Sequence, residues 1–520
     1  MVHGDKAAIV SDSESISHAE LNRRSARLAG GLVASGMTVS SRVGLLMENG
    51  IEWAVVAAAV MRTGAVLVPL STLLQPPELH AQLQTAAVTE LIITKGFRNR
   101  SYLADLESVA PGIVELTQSR RRHAELPNLR RIWMGSGLSS GQVDPALIDA
   151  LDEAVHPAHD LVILFTSGSR GAPKGVIHTH GGAIRATSSG LACRRIRPDE
   201  RLYIPMPFFW TGGFSSGLMT TLVAGATLIT EAIPEPATTL TLLEREKVTL
   251  FRGWPDQAAR LASHHGFAST DLTNLRPGSL PAVLPPALRP GPGARSNLFG
   301  MTETFGPYSG DRLDIDLPPG KYGSCGRPFE GIEVRIFDPD SGGSCPPGVD
   351  GEIGVRGPNL MVGICGRSRT DTFDADGFYR TGDFGMLDAD GFLWFRGRRD
   401  DMFKVNGATV YPSEVERALL EVSGVRQAFV TDVKGSVGKA VGALVVTSRT
   451  QQELDTAIRS KLSNFKVPTV WCVTQRADDV PRMASDKVAK PALQTMIETE
   501  GTTVGARVVG RPASQKGPPT

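Results

Sequence analysis

The chain has 520 residues, 41% hydrophobic and 21% charged, with a formal net charge of +1 at pH 7. That length is too great for one compact core and predicts two or more domains of ordinary soluble composition. The near-zero charge gives no reason to expect nucleic acid or another polyanion as partner, and it does not exclude a local basic patch.

The start, MVHGDKAAIV, lacks the long apolar run of a signal peptide. Ser17-His18-Ala19-Glu20 has the form of a capping box opening a helix with Leu21, Leu28 and Leu32 on one face. Val43 to Met47 predicts a short buried strand, Ile51 to Met61 a helix, and Gly64 its C′ residue. Ala65 to Pro69 and Leu91 to Thr94 predict further strands. The apolar stretch Trp53 to Leu70 is broken by Arg62 and Gly64, so it predicts no membrane span. Repeated strand–helix–strand order predicts α/β architecture with parallel sheets covered by helices. Residues 322–395 turn β-rich with Gly and Asp turns, which predicts a small barrel or twisted antiparallel sheet. A charged stretch, Gly397-Arg398-Arg399-Asp400-Asp401, marks a boundary. Beyond it, Ser413-Glu414-Val415-Glu416 predicts a helix start, with Val415, Ala418, Leu419 and Val422 on one face. Ala428 to Val430 and Gly442 to Val446 predict strands, and the Gly, Pro and Ser of the last residues predict disorder. Five cysteines, odd in number and without a Cys-x-x-Cys pair, predict free thiols in a reducing compartment, the cytoplasm.

The most informative string is ILFTSGSRGAPKGV, residues 163–176. Thr166, Ser167 and Ser169 offer hydroxyls, Gly168 and Gly171 let backbone N–H groups come close, and Arg170 and Lys174 bring positive charge. Such a loop, after the apolar run Leu161 to Phe165, suits a polyphosphate. Its spacing is not that of the Walker pattern.

The order G-S-R-G-A-P-K-G resembles the phosphate loop of the adenylate-forming superfamily, which includes acyl-CoA synthetases, luciferase-like enzymes and peptide-synthetase adenylation domains. Four further strings extend the resemblance to about residue 495. Phe299-Gly300-Met301-Thr302-Glu303 is similar to the segment whose aromatic lies along adenine, whose Thr contacts phosphate and whose Glu helps hold Mg²⁺, with a loop hydroxyl such as that of Thr166. Tyr379-Arg380-Thr381-Gly382-Asp383 implies Asp383 as acceptor for the ribose hydroxyls. In the string at residues 397–407, the resemblance implies Arg398 as a ribose contact and Asp401 as a hinge. It also puts Lys404 and Gly407 on a face of the small domain that approaches the site after rotation. Pro481 to Val488 resembles the closing loop whose lysine, Lys487, reaches the site during adenylation. A carboxylate attacking an α-phosphate requires such a cation, because charge builds on the phosphoryl oxygens and on pyrophosphate.

The resemblance implies a large N-terminal domain, residues 1–396, made of helix-covered sheets plus a small β-barrel-like subdomain. A hinge at 397–401, a small mobile α+β domain at 402–498 and a disordered tail at 499–520 complete it. Phe209, Trp210, Gly213 and Phe214 fall in the acyl-pocket segment, with Trp254 as a further wall. That segment holds no acidic residue to pair an α-ammonium, so an apolar or aromatic carboxylic acid, as for a fatty-acid–CoA ligase, fits better than an amino acid. ATP, Mg²⁺ and CoA are the implied cofactors and co-substrates. Two alternatives remain: transfer of the acyl group to a separate acyl carrier protein, and a nucleotide-binding member that does not catalyse. Departures from the family pattern bear on substrate and rate: Phe299 for the commoner tyrosine, an aromatic for the usual histidine near Trp210, a Pro/Gly-broken stretch from Ala287 to Ser296, Asp486 beside Lys487 and Leu280-Pro281 for a Gly-Gly pair, the last two bearing also on the second alternative.

Overall fold

The computed structural model describes residues 3–503 except 13, 120, 136–137, 139–143, 168–172, 292, 399–402, 406, 411, 436–437 and 482–487. It divides into two compact units, Met1–Met402 and Phe403–Thr520.

The first unit is built on two mainly parallel sheets. In the larger, five parallel strands run in the order Asp160–Ser167, Val66–Pro69, Arg42–Leu46, Glu90–Ile93, Arg131–Met134. Pro173–Thr179 and Gly363–Ile364 extend it antiparallel beyond Asp160–Ser167. The smaller sheet runs Leu250–Phe251, Arg201–Tyr203, Thr227–Ile229, Ala7–Val10, with Ser15–Ser17 antiparallel at its edge.

The predicted start of the first helix is observed. Ser17 is the N-cap of His18–Ala34, its Oγ accepting the Glu20 N–H at 3.1 Å, and Leu21, Leu28 and Leu32 are buried. The helix Ile51–Arg62 buries eight of its side chains, as its nearly continuous apolar sequence requires. It ends at Thr63, and Gly64 takes the left-handed conformation (φ 73°) that favours glycine at C′. The main core of the unit gathers around Trp53, whose ring meets Phe208 at 5.1 Å and Phe214 at 6.0 Å.

Residues 299–398 form two antiparallel sheets. One has the strands Phe299–Met301, Gly306–Gly310 and Arg327–Pro328; the other runs Glu333–Phe337, Gly351–Arg356, Tyr379–Leu387, Leu393–Arg398. From Ala287 to Ser296 the only regular piece among the described residues is the end of a 3₁₀ turn, Pro286–Leu288.

The second unit is α+β. Its sheet runs Val425–Lys434, Lys439–Thr447, Val470–Thr474, Thr502–Thr503, with the helices Pro412–Leu420, Gln451–Arg459 and Lys490–Glu500 and a separate two-stranded ribbon, Phe403–Val405 with Ala408–Val410. Ser413, expected to cap this unit's first helix, lies instead within it as its second residue, because Pro412 is well suited to the first helical position. No described helix is long and apolar enough to cross a membrane. All five cysteines are unpaired. Burial raises the thiol pKa of each, that of Cys193 to about 11.

Replacing Ser17 with Ala removes the acceptor for one N-terminal N–H of a 17-residue helix. A loss of about 1 kcal/mol is expected in urea unfolding. An unchanged midpoint would show that backbone packing alone sets this terminus.

Candidate active site

The predicted phosphate loop joins two paired strands. Asp160–Ser167 and Pro173–Thr179 run antiparallel, with Thr166 opposite Lys174 and Ser167 opposite Pro173. Gly168, Ser169, Arg170 and Gly171 lie outside the described residues. A strand succeeds the loop here, where a Walker loop would open a helix, so the ladder rather than a helix N-terminus holds the loop's ends.

Lys174 points from that ladder to Glu303. Its Nζ lies 2.5 Å from Glu303 Oε1, with the two side chains 13% and 8% exposed. The Tyr379 hydroxyl accepts a hydrogen bond from Lys174 Nζ at 2.6 Å and donates to Glu303 Oε1 at 3.0 Å. The ammonium also lies 5.0 Å from the centre of the tyrosine ring. Burial drives the Glu303 carboxyl pKa upward, but the Lys174 charge and the hydrogen bonds from Lys174 and Tyr379 outweigh it and hold the group below the usual range. Removing one member of so buried a pair strands the other, at a cost of about 3–5 kcal/mol.

Glu303 sits on a 3₁₀ turn, Thr302–Thr304, between Phe299–Met301 and Gly306–Gly310. Its carbonyl accepts the Met361 N–H at 2.8 Å. Three features fix the turn. Gly300 is required, since a Cβ there would run into the Gly306 carbonyl. Phe305 adopts a left-handed conformation (φ 57°), unusual for a bulky residue, and its carbonyl accepts from Ser215 Oγ. The Phe305 ring packs edge-on against His178 at 5.0 Å and Phe214 at 5.9 Å. His178, with 0% exposure, places Nε2 2.7 Å from the Thr302 carbonyl, while Nδ1 has no partner. Burial pushes its pKa from 6.5 down to about 4, so Nε2 carries the proton that it donates.

The other predicted residues fall into four groups. Phe299 has its ring 4.9 Å from Phe395 and meets Tyr308 edge-on at 5.5 Å. Asp383, 6% exposed, stands opposite Arg398 in the ladder of Tyr379–Leu387 with Leu393–Arg398. Its charge adds to burial in raising the Tyr308 phenol well above the ordinary value. In the acyl-pocket segment, Phe209 is buried and meets the partly exposed Trp210 edge-on at 5.5 Å. Gly213 has no room for a Cβ, which would strike the Pro207 carbonyl, and it lies on a run of wide π-type turns, Gly212–Met219. Thr211 Oγ1 donates to Thr302 Oγ1 at 3.0 Å, which joins this segment to the Glu303 turn. Trp254 is partly exposed, and Gln257 ties its turn to the segment by accepting the Trp254 N–H and donating to the Pro205 carbonyl. Phe214, expected as a pocket wall, is wholly buried between Trp53 and Phe305 and offers no surface to a ligand in this conformation.

Lys404, in the second unit, is exposed on the ribbon strand Phe403–Val405. Asp401, Lys487 and its neighbour Asp486 lie outside the described residues. Sequence reasoning missed Tyr379 and His178 as members of the site. Tyr379 had a signal, since it opens the string that ends in Asp383.

Among the described residues no cluster of three or more His, Cys, Asp or Glu could hold a metal ion. Mg²⁺ bound mainly by phosphate oxygens needs only one or two protein oxygens. The buried carboxylate of Glu303, facing the loop lysine, fits that need.

The AMP-binding enzyme family matches residues 1–365. A 7a-methyl-1,5-dioxo-octahydro-indenyl-propanoyl:CoA ligase of Mycobacterium tuberculosis is 30% identical over 517 residues, covering 95% of this chain and 96% of its own. A feruloyl-CoA synthase of an Amycolatopsis species is 32% identical over 487 residues, covering 91% and 92%. Among solved structures, an amide bond synthetase of Marinactinospora thermotolerans has a TM-score of 0.75 at 25% identity, covering 95% of this chain and 97% of its own.

His178 gives the site a pH signature. Between pH 6.5 and about 4 the unfolded chain binds a proton that the folded chain refuses, so stability falls as pH drops through this window. The shift corresponds to roughly 3 kcal/mol. His178→Gln is expected to flatten the unfolding free energy against pH across that range. A profile parallel to the parent's would sink the assignment.

Proposed function

The chain belongs to the AMP-binding enzyme family, and from that premise we propose how its residues carry out the reaction of an AMP-forming acid–thiol ligase. In the first step a carboxylate oxygen attacks the α-phosphorus of ATP, the bond to the bridging oxygen breaks, and pyrophosphate leaves. In the second the sulfur of CoA attacks the acyl carbon, the thiol proton is released, and AMP leaves with the electrons of the broken C–O bond. The observation that carries this reading is the buried Lys174–Glu303 pair at the root of the phosphate loop.

Each residue then has a task. Thr166, the loop residues Ser167 to Gly171 and Lys174 bind the phosphates, Phe299 with Gly300 and Met301 borders the adenine, and Thr302 donates to phosphate. Asp383 and Arg398 hold the ribose. Glu303, with Thr166, would hold Mg²⁺, which supplies charge neutralisation on the phosphate oxygens. Lys487 completes the adenylating arrangement, and Lys404 and Gly407 serve thioester formation after rotation at Asp401. The buried, neutral His178 holds the Thr302 carbonyl and so keeps the Glu303 turn aimed.

The acid is apolar or aromatic. Pro205 to Phe214 contains no acidic side chain, and a buried ammonium without a counter-charge is costly. The relatives named for feruloyl and indenyl-propanoyl groups support the same class. Five unpaired thiols support a reducing, cytoplasmic setting.

Incubation with ATP, Mg²⁺, CoA and a mixture of carboxylic acids, followed by mass spectrometry, tests the reaction. AMP, pyrophosphate and a CoA thioester are expected, while ADP as the stoichiometric product would overturn it. Lys487→Ala is expected to slow acyl-AMP formation by about a hundredfold and to leave thioester formation from synthetic acyl-AMP near the parental rate. Equal damage to both steps would exclude the division of tasks. Trp210→Ala is expected to change the ranking of acids accepted; a uniform loss for all acids would mean that Trp210 packs and does not select.

A further inference from the structure

Lys174 and Glu303 satisfy each other's charge within the protein. The phenol of Tyr379 accepts from the lysine and donates to the carboxylate, so it bridges the closed pair. A triphosphate that draws Lys174 to itself upsets this balance. It leaves a carboxylate only 8% exposed without its cation, beside an arriving polyanion. A divalent cation arriving with the nucleotide makes good the positive charge that the lysine withdraws.

Resting on the proposed nucleotide site, we infer that Lys174, Glu303 and Tyr379 form a latch that admits the triphosphate only together with a divalent cation, with Tyr379 as its positioning residue. In the closed state the lysine is the counter-ion of the carboxylate, and the phenol makes two hydrogen bonds to the pair. In the open state the lysine serves phosphate and the phenol remains a donor to Glu303. Loss of the phenol hydroxyl therefore removes two bonds from the closed state and one from the open state, and the latch loosens. Loss of the carboxylate abolishes it, because nothing then holds the lysine back.

Calorimetric titration with ATP, in the absence of any acid substrate, reads the latch directly. Wild type, Glu303→Gln and Tyr379→Phe are each titrated in EDTA and in Mg²⁺. Wild type is expected to bind about a hundredfold more tightly with Mg²⁺. Glu303→Gln should bind metal-free ATP about tenfold more tightly than wild type, with the gap between the two conditions reduced to less than about tenfold. Tyr379→Phe keeps the ring and its edge-on contact with Phe373 at 6.4 Å. It should melt near the parental temperature and bind ATP about three- to tenfold more tightly in EDTA and in Mg²⁺ alike, because the free enzyme loses two hydrogen bonds and either bound state only one. A merely structural role for Tyr379 would raise neither affinity. If Glu303→Gln gains nothing toward metal-free ATP, or Tyr379→Phe gains in neither condition, the latch is overturned while the nucleotide site stands. If Glu303→Gln does not fold, the affinities measured on Tyr379→Phe decide. Wild type that binds neither form removes the nucleotide site, and the latch with it.

Discussion

Two opposite charges buried against each other set the terms for the rest of the site. Lys174 lies on the strand Pro173–Thr179, and Glu303 arrives 129 residues later on a short turn. Bringing both out of water is expensive, so the pair adds little net stability and is retained for what it positions. The surrounding structure serves that position. The ladder that closes the loop puts Lys174 opposite Thr166, the glycine at 300 lets the hairpin close, and Phe305 accepts a left-handed backbone so that Glu303 faces the lysine. Each of these features is costly or restrictive alone and makes sense only as support for the pair.

An apolar wall stands behind the pair. Trp53, Phe208, Phe214 and Phe305 form one aromatic group, and His178 joins it as a neutral ring. Such a wall lowers the local dielectric and strengthens every charge–charge interaction in front of it. It also lets the Glu303 turn move only as a body, because Thr302 is held by His178 on one side and by Thr211 on the other. Thr211 lies within the segment Pro205 to Phe214, so a hydroxyl pair joins that segment to the Glu303 turn.

Much of this was legible in the sequence, for definite reasons. The cap at Ser17, the stop at Gly64 and the buried strand before the phosphate loop are local features, and local chemistry determines them. The order of strands and helices gave the α/β class. The strings around Lys174, Glu303 and Asp383 stood out because each carries an unusual combination of types, and the fold brings Lys174 and Glu303 together and buries Asp383. The roles of Tyr379 and His178 were not legible, because they depend on contacts 205 and 124 residues apart in the chain. A tyrosine opening a strand and a lone histidine look the same in sequence whether they pack or position. Phe214 shows the converse. Its place among aromatics suggested a ligand, but a run of aromatics serves a core equally well, and here the ring faces Trp53. The antiparallel return of the chain after the phosphate loop was not legible either, since glycines announce a turn but do not specify whether a strand or a helix comes next.

The five cysteines bear on the chemistry from another direction. Each thiol is unpaired and pushed away from ionisation by its surroundings. Disulfide exchange proceeds through thiolates, so these sulfurs are poor nucleophiles at neutral pH. A ligase whose co-substrate is itself a thiol works among the oxidised, disulfide-linked forms of that co-substrate whenever the cell is under oxidative load. A protein surface without ready thiolates does not become trapped as a mixed disulfide with the molecule it is meant to acylate. Protection of this kind needs no dedicated device, because it follows from how far the fold draws each sulfur out of water, Cys325 and Cys472 being buried and the other three partly so.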